Sequence, residues 1–369
     1  MPSFLWSKMK PIRWANLILL SGMMLGLGGC YPKPPPAPVE RPQSPAFGYY
    51  YRALEAIEKE QFDTALALVD SAIALKPGYV NFYFVKAKLF EWLHQPDSAI
   101  VAYRQCVRLK SHFPAVWKRL GRLLLAQQAY PEAAFFLEKT VNAFPDSLHY
   151  LLLLGQASVG SEKYALALDF LKQYLERAVE PEPPVFYWLG RSYYGLGRDA
   201  KAVEALRRYL QMDASNPQAM KYLGLALVRL GKSNEGISYL NRALQQLPLD
   251  VDILLARIRF FLETQKWVAA KTQLDLALQA YPDHPALLLE QARYHFLTQQ
   301  LKASRQVLEQ LLAKRPDFWT ARRLLGQVLE AQGEVEEALN QYQAYLEHTL
   351  KLDPEIERRV NELRSRIAK

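Results

Sequence analysis

Residues 114–147 read PAVWKRLGRLLLAQQAYPEAAFFLEKTVNAFPDS, and the spacing of small and large apolar residues in this stretch decides the fold. Ala133 is followed four residues later by Leu137 and preceded twelve residues earlier by Gly121. The small residue recurs every 34 residues along the chain, with a single step of 35, and we call these nine sites the anchors. The anchors are Ala65, Ala99, Ala133, Ala167, Ala202, Gly236, Ala270, Ser304 and Ala338. The chain is therefore predicted to be an array of repeated units.

Two further sets of residues recur with the same spacing as the anchors. A large apolar residue stands four residues after every anchor, at Val69, Tyr103, Leu137, Leu171, Leu206, Leu240, Leu274, Leu308 and Tyr342. Twelve residues before the anchor the chain carries Ala or Gly, except at Ile258. Where antiparallel helices cross at close range, the side chain at the crossing must be small, and large apolar residues fill the grooves beside it. Each unit is therefore predicted to be a packed pair of helices.

Glycine and proline stand at fixed positions in the units, where they predict the ends of helices. Gly197, Gly231 and Gly333 stand five residues before an anchor, where the first helix is predicted to end in a left-handed turn. Proline stands twelve residues after five of the anchors, where it predicts the end of the second helix. These prolines are Pro77, Pro145, Pro248, Pro282 and Pro316.

This combination resembles the tetratricopeptide repeat family, whose signature spacing is met by Trp117, Leu120, Gly121, Tyr130, Ala133 and Pro145. The resemblance covers residues 46–352. It implies an all-α fold, a right-handed superhelical α-solenoid of about nine helix-turn-helix repeats. Units 1 to 9 are predicted to begin at Ala46, Val80, Pro114, Leu148, Pro183, Pro217, Val251, Pro285 and Trp319.

Some units depart from the family pattern. The terminal proline is replaced at Ser111, Val179, Ala214 and Leu350, and tyrosine occupies a usually small position at Tyr174, Tyr209 and Tyr345. The 35-residue step lies near residues 180–184, where three prolines stand between units 4 and 5. It is interpreted as a tolerated loop insertion or, alternatively, as a bend in the stack.

Residues 1–29 have the pattern of a secretory signal peptide. Three basic residues precede an apolar run from Trp14 to Leu27, which is too short to span a bilayer comfortably. The run ends in Leu27-Gly28-Gly29-Cys30, which resembles the bacterial lipoprotein box and implies cleavage before Cys30 and acylation of that cysteine. An uncleaved anchor or a chance cysteine is the alternative. Met9 is a second candidate start, because it would give a more typical signal length.

Residues 30–45 are predicted to be the lipidated cysteine and a proline-rich linker. Seven of the 16 residues from Tyr31 to Ala46 are proline, which favours an extended, semi-rigid spacer. Tyr31 stands where many lipoproteins retained at the inner membrane have aspartate. The expected location is therefore the bacterial cell envelope, lipid-anchored at the periplasmic face of the outer membrane.

Residues 353–369 are predicted to form a C-terminal capping helix. Asp353, Pro354 and Glu355 supply a cap, a first-turn proline and an early acid. The apolar stripe is predicted at Ile356, Val360, Leu363 and Ile367. A last helix with one wet face suits a stacked array, and a partner-binding helix is the alternative.

Composition and motifs argue against catalysis. The sequence has no phosphate-binding glycine loop, no helical zinc motif and no nucleophile elbow, and its six histidines lack metal-ligand spacing. The chain is therefore predicted to be no enzyme and to need no cofactor, metal or small-molecule substrate. Cys106 is predicted to be a buried small apolar residue. The net charge of +9 includes three basic residues of the signal segment, which leaves a moderate basicity that favours acidic proteins or anionic surfaces over nucleic acid.

The resemblance also implies a binding groove, because in the family the first helices line the concave face with unit positions 2, 5, 9, 12 and 13. Eight of the 18 residues at positions 5 and 9 are basic and none is acidic. The predicted groove residues are Phe84, Lys88, Trp92, Lys118, Arg122, Tyr187, Arg191, Tyr194, Lys221, Arg259, Arg293, Phe296 and Arg323. Clustered cations beside aromatic rings suit an extended acidic protein segment. The alternative is that these cations only solvate an exposed helix face.

The sequence thus predicts a lipid-anchored scaffold or adaptor that binds protein partners in an envelope assembly, of the pilus, secretion or outer-membrane biogenesis type. The alternative is a regulatory docking module for a cell-wall or polysaccharide-export enzyme. Fold-level resemblance does not choose between them.

Overall fold

The computed structural model describes residues 44–349 and 353–367, and within these residues it contains nineteen α-helices and no β-strand. The helices come in pairs, which confirms the predicted all-α repeat solenoid. Each first helix begins within one residue of the predicted start of its unit. The predictions for the signal segment, for Cys30 and for the linker through residue 43 lie outside the described residues.

The nine first helices are α1 (Pro45–Glu58), α3 (Val80–Trp92), α5 (Pro114–Ala126), α7 (Leu148–Gly160), α9 (Pro184–Gly195), α11 (Pro217–Arg229), α13 (Val251–Glu263), α15 (Pro285–Leu297) and α17 (Trp319–Gln332). Their partners are α2 (Phe62–Leu75), α4 (Pro96–Leu109), α6 (Tyr130–Ala143), α8 (Tyr164–Arg177), α10 (Asp199–Met212), α12 (Ser233–Leu244), α14 (Trp267–Ala280), α16 (Leu301–Lys314) and α18 (Val335–His348). A last helix, α19 (Pro354–Ile367), follows the ninth pair.

The helix crossing inside each unit follows the predicted registers. Every anchor is buried, and the large residue four positions later is at most 2% exposed. In unit 6 the crossing is so close that a Cβ atom on Gly224 would lie 2.8 Å from the carbonyl oxygen of Gly236 on the opposite helix. The small residues therefore set the distance between the two helices of a unit.

The turn between the helices of each unit contains one residue with a left-handed backbone. Gly197, Gly231 and Gly333 have φ of 68°, 77° and 86°, as predicted. Six residues at the same unit position are not glycine but have φ between 55° and 62°, namely Glu60, His94, Gln128, Glu162, Gln265 and Gln299. In unit 7 the amide of Lys266 closes this turn by donating to the carbonyl of Phe261 at 2.8 Å. The helix pair therefore imposes the turn, and glycine is only its least strained occupant.

Substitutions at this turn position are expected to change stability in opposite directions. Gln265→Gly is expected to raise the free energy of unfolding by about 0.5–1 kcal/mol, because it relieves a left-handed glutamine. Gly231→Ala is expected to lower it by about 1 kcal/mol through backbone strain alone, since no atom lies within 4 Å of a Cβ built there. Urea unfolding of both variants measures the effect. A less stable Gln265→Gly protein would contradict this account of the turn.

Tyrosine compensates for the missing terminal proline in three units. In unit 4 the hydroxyl of Tyr174 accepts a hydrogen bond from the amide of Glu182 at 2.9 Å. In unit 5 the hydroxyl of Tyr209 donates to Asp213 at 2.9 Å. In unit 9 the hydroxyl of Tyr345 donates to Asp353 at 3.1 Å. Each hydroxyl forms a hydrogen bond with the loop that follows its helix. The loop after α8, which contains the one 35-residue spacing, is therefore fixed to unit 4.

The stacking of the units distinguishes the two sets of helices. From α5 to α17 the neighbouring first helices approach one another, whereas the second helices show no comparable approach within the described residues. The first helices therefore line the inner side of the array. Between successive units, α12 and α13 are the second and first helices that approach each other least, although α11 also approaches α13.

The cap helix α19 packs on α18. It buries Ile356, Val360 and Leu363, which confirms three positions of the predicted stripe. Ile367 departs from the prediction, since it is 46% exposed at the last residue of the helix. The array thus ends on a helix with one apolar face and one wet face.

Candidate partner-binding surface

All thirteen predicted groove residues lie on first helices, and we call the surface that these helices share the inner face. The residues are Phe84, Lys88 and Trp92 on α3, Lys118 and Arg122 on α5, Tyr187, Arg191 and Tyr194 on α9, Lys221 on α11, Arg259 on α13, Arg293 and Phe296 on α15, and Arg323 on α17. Their surroundings divide them into paired cations, unpaired cations and aromatic residues.

Lys221 is a buried link between units 6 and 7. It is 6% exposed, and its Nζ lies 2.7 Å from a carboxylate oxygen of Asp250 and 2.7 Å from one of Asp252. Burial acts to lower the pKa of Lys221, but the hydrogen bonds with the two carboxylates outweigh it, so the pKa lies above its usual value. Asp250 also caps α13, because its Oδ1 accepts from the amide of Ile253 at 3.2 Å. Lys221 therefore stays charged, but its ammonium group is already paired with two carboxylates of the chain itself.

Three further cations are paired within the fold. Glu290, whose side chain is 3% exposed, lies between Arg259 and Arg293. Arg259 Nε donates to Glu290 Oε1 at 2.6 Å, and Arg293 Nη1 lies 3.7 Å from Oε2. Arg323 Nη2 donates to Glu355 of the cap helix at 2.9 Å. The positive charge of these three predicted groove cations is therefore largely neutralised from inside the chain.

Four predicted cations have no carboxylate within 4.0 Å among the described residues, namely Lys88, Lys118, Arg122 and Arg191. They lie in units 2, 3 and 5. Lys88 Nζ lies 4.8 Å from the ring centroid of Trp92, and Lys118 Nζ lies 5.7 Å from that of Phe144. Burial lowers the pKa of Lys88, and the charge of nearby Arg119 lowers it further. This part of the inner face retains unpaired positive charge.

Glu91, an acid at position 12 of unit 2, is already engaged in the fold. Arg119 Nη1 donates to it at 3.1 Å, and the hydroxyl of Tyr103 donates to the same carboxylate. Burial together with this carboxylate raises the pKa of Tyr103. The same arrangement recurs at the other end of the array, formed by Glu330, Tyr342 and Arg359. Glu91 is therefore committed to a contact between units 2 and 3.

Aromatic rings surround Arg191. Its guanidinium carbon lies 4.7 Å from the ring centroid of Tyr222 and 5.9 Å from that of Tyr187, and the rings of Tyr194 and Tyr222 are 5.5 Å apart. The Nε of Arg191 is buried without a hydrogen-bond partner among the described residues. Burial raises the pKa of Tyr187 to about 12, so its phenol stays protonated. The structure thus brings Tyr187, Arg191 and Tyr194 into one cluster.

The other aromatic residues of the predicted groove lie apart from this cluster. Phe84 is partly buried, with its ring centroid 5.2 Å from that of Phe113. Trp92 is 39% exposed and stacks on Phe62 with centroids 5.4 Å apart. Phe296 lines a cleft of about 520 Å³ beside the cap helix. These residues occupy three separate parts of the inner face.

The acids that pair with the groove cations, and two rings beside Arg191, were not predicted from the sequence. The acids are Asp250, Asp252, Glu290, Asp353 and Glu355, and the rings are Trp188 and Tyr222. The signal was present in the sequence, because each of these acids stands 29 to 32 residues after the Lys or Arg it pairs with from the preceding unit. Positions in the next unit, slightly less than one period ahead, would have identified them.

No group of three or more His, Cys, Asp or Glu residues within 44–349 and 353–367 is arranged to hold a metal ion. Cys106 is fully buried, as predicted, and burial raises the pKa of its thiol to about 12. None of the helices described has both the length and the apolar character needed to cross a bilayer. That the chain is not an enzyme stays a prediction.

Comparison with known proteins decides the family. Models described as tetratricopeptide repeat match residues 93–157, 152–219, 222–285 and 289–354, which is more than half of the chain. The chain belongs to the tetratricopeptide repeat family. Its repeats thus form a scaffold of the kind that serves protein–protein interaction.

Individual relatives are distant. A tetratricopeptide repeat-containing protein of Methanocaldococcus jannaschii is 23% identical over 227 residues, which is 57% of this chain and 39% of that protein. Anaphase-promoting complex subunit 7 of Arabidopsis thaliana is 25% identical over 198 residues, which is 52% of this chain and 34% of that protein. The matches thus span less than half the length of these relatives.

Among solved structures, the Cut9–Hcn1 hetero-tetramer of the anaphase-promoting complex is similar in fold. Its matched chain is 11% identical with a TM-score of 0.51, over 86% of this chain and 77% of that one. This likeness concerns the solenoid alone.

Proposed function

We propose that this tetratricopeptide repeat protein is a lipid-anchored adaptor of the bacterial cell envelope, and that its inner face binds an extended acidic segment of a partner protein. The observation that carries the proposal is the unpaired positive charge of Lys88, Lys118, Arg122 and Arg191. Paired cations have their electrostatic requirement met within the fold, whereas unpaired ones are available to a ligand.

The distribution of paired and unpaired cations along the inner face determines which units the acidic part of the partner contacts. Its acidic part lies against units 2 to 5, where the cations are unpaired, and not against units 6 to 9, where Asp250, Glu290 and Glu355 already occupy them. The rings around Arg191 provide apolar contact area beside the charge. Buried aromatic residues supply most of the affinity of such interfaces, and unpaired cations steer and orient the ligand.

The partner is to be identified by cross-linking in native membranes followed by affinity purification of the full-length protein. We expect a reproducible partner with an acidic segment, and we expect it to be lost when the four unpaired cations are reversed to glutamate. Absence of any reproducible partner from both proteins would count against the adaptor function.

The lipid anchor rests on the sequence around Cys30. The apolar run, the three basic residues before it and the Leu-Gly-Gly-Cys ending occur together at the N-terminus. Several acyl chains give stable membrane attachment where one chain is marginal. The proline-rich stretch up to residue 45 then holds the array away from the bilayer, at the periplasmic face of the outer membrane.

Cys30→Ala is expected to abolish fatty-acid labelling and to move the protein from the membrane fraction to the soluble fraction or to leave it as an unprocessed precursor. Metabolic labelling with a palmitate analogue, followed by membrane fractionation, measures both effects. Cys106→Ala is the matched control, because it removes the other cysteine, which is buried in α4. Unchanged labelling of the Cys30→Ala protein would exclude the anchor.

A further inference from the structure

Aromatic rings of units 5 and 6 surround Arg191 on the inner face. Besides the contacts with Tyr187 and Tyr222, its guanidinium carbon lies 5.5 Å from the ring centroid of Trp188. Tyr194 packs edge-on against Tyr222, and Tyr187 packs edge-on against Trp188 at 4.7 Å between centroids. We call these four side chains the Arg191 rings. They come from α9 and α11, and each is only partly buried, so together they present aromatic surface to the inner face.

Tyr164, the first residue of α8, extends this aromatic surface towards unit 4. Its ring packs so closely on α9 that a Cβ atom built on Gly195 would lie 2.5 Å from two of its ring atoms. Burial and the charge of Glu162 raise the pKa of Tyr164, and the charge of Arg191 acts against them. Tyr164 is therefore close enough to Arg191 for the two to interact.

The guanidinium of Arg191 has no anionic partner within the fold. The acids nearest to the Arg191 rings are already paired, since Asp199 lies 3.5 Å from Arg229 and Asp252 lies 2.7 Å from Lys221. Ring faces stabilise a cation, but they do not replace the two oxygens that a guanidinium can bind side by side. The site therefore lacks a carboxylate that a ligand can supply.

Arg122 has the same position in unit 3 but lies in different surroundings. The four positions that correspond to the Arg191 rings hold Lys118, Arg119, Leu125 and Leu153 there. Arg122 is exposed, whereas Arg191 is partly buried among its rings. Packing against rings restricts the orientation of a guanidinium, and a preorganised guanidinium loses less entropy when it binds a carboxylate. Arg122 thus acts through its charge, and Arg191 also through its geometry.

The residues beside the ligand carboxylate are inferred from what the Arg191 rings can accept. A ring face is only a weak acceptor for a backbone N–H, and proline has no N–H to satisfy. Proline-rich segments are also extended before they bind, and they dock on surfaces lined by aromatic side chains. An extended ligand with prolines on both sides of an acidic residue therefore suits this surface.

We propose that the Arg191 rings select an acidic partner segment in which proline flanks glutamate or aspartate. One carboxylate of the segment pairs with the guanidinium of Arg191, and the neighbouring prolines lie on the Arg191 rings. This inference rests on the proposed function, from which it takes the acidic ligand, and it adds which residues stand beside the acid. Lys88, Lys118 and Arg122 then attract the segment, and Arg191 fixes its position.

The test uses the purified full-length protein and two fluorescent peptides, PEPEPEPEP and SESESESES, which carry the same charge and differ only in proline. Fluorescence anisotropy is expected to show that the protein binds the first peptide roughly ten-fold more tightly, as burial of one small apolar ring implies. Arg191→Lys keeps the charge but loses the planar guanidinium. It is expected to remove the preference for proline and to change the affinity for the serine peptide less than two-fold.

Arg208→Lys is the matched control. Arg208 also stacks on a ring, with its guanidinium carbon 4.0 Å from the centroid of Phe186, but it lies on the second helix α10. This variant is expected to keep the preference for proline. Tyr222→Leu, which removes one of the Arg191 rings, takes the place of Arg191→Lys if the latter changes the thermal unfolding of the protein. It too is expected to remove the preference.

The outcomes separate this inference from the proposed function. Equal affinity of the wild-type protein for both peptides would overturn the selection of proline and leave the acidic ligand in place. Retention of the preference in Arg191→Lys or in Tyr222→Leu would also overturn it, because the prolines would then bind elsewhere. Absence of binding to either peptide would count against this inference and against the acidic ligand alike.

Discussion

Reversing the four unpaired inner-face cations to glutamate is expected to weaken binding of the acidic partner roughly a hundredfold and to remove most of its salt dependence. Lys88, Lys118, Arg122 and Arg191 have no carboxylate partner among the described residues, so their charge acts on the ligand. Each exposed ion pair contributes modestly, but four repulsive contacts replace four attractive ones. Titration of the cross-linked partner's acidic segment at several salt concentrations measures both effects.

The matched control changes the net charge by the same amount on the other helices. Lys172, Lys201, Lys232 and Lys302 are exposed, lie on or directly before second helices, and have no carboxylate within 4.0 Å in the described part of the chain. Their reversal to glutamate is expected to lower affinity only slightly, through long-range repulsion that salt screens. An equal loss in both proteins would show that net charge, and not the inner face, controls binding.

Paired and unpaired cations are expected to differ in how much their neutralisation changes the affinity for the partner. Neutralising Arg323 is expected to change affinity less than neutralising Arg191, since Asp353 and Glu355 already balance Arg323. A larger effect at Arg323 would place the acidic segment at the C-terminal end of the array and would contradict the division of charge described above.

Gly236→Ala is expected to lower the free energy of unfolding by about 2–3 kcal/mol, although every other anchor is alanine or serine. A Cβ at this position would lie 2.7 Å from the carbonyl oxygen of Gly224 and 3.0 Å from the amide nitrogen of Val228. These are backbone atoms, so relief requires the two helices of unit 6 to move apart. Urea unfolding measures the loss, and hydrogen exchange in α11 and α12 shows whether it is local.

Gly121→Ala is the matched control for this prediction. A Cβ there would meet the side chain of Leu137 at 3.0 and 3.1 Å, and a leucine side chain can shift by a few tenths of an ångström. The expected loss is therefore below about 1 kcal/mol. If Gly236→Ala unfolds at the same urea concentration as the wild-type protein, the close crossing in unit 6 does not limit stability.

The sequence predicted the helix pairs because the packing residues repeat with a fixed period. A small residue such as Ala202 and a large one such as Leu206 recur in register, and the crossing geometry demands both. The turn was predicted only where glycine occupies it, as at Gly231. At Gln128 and Gln265 the same left-handed backbone is imposed by the helices on either side, and residue identity gives no sign of it.

The candidate surface was predicted less completely than the fold. The family resemblance placed the cations on the first helices, but it did not show which of them are paired. Lys221 and Arg191 stand on the same kind of helix face, yet one is held by Asp250 and the other is surrounded by rings. The difference depends on which residues the next unit presents, so it emerges only when neighbouring units are considered together.

The junction between units 6 and 7 combines a sparse approach of α12 to α13 with a buried ion-pair link. In a repeat protein each unit touches chiefly its neighbours, so a junction can open while the units on both sides stay folded. Lys221 of α11 pairs with Asp250, which caps α13, and with Asp252 of α13, so these ion pairs link the two units across this junction. Under a pull along the array, opening of this junction would have to separate Lys221 from both carboxylates.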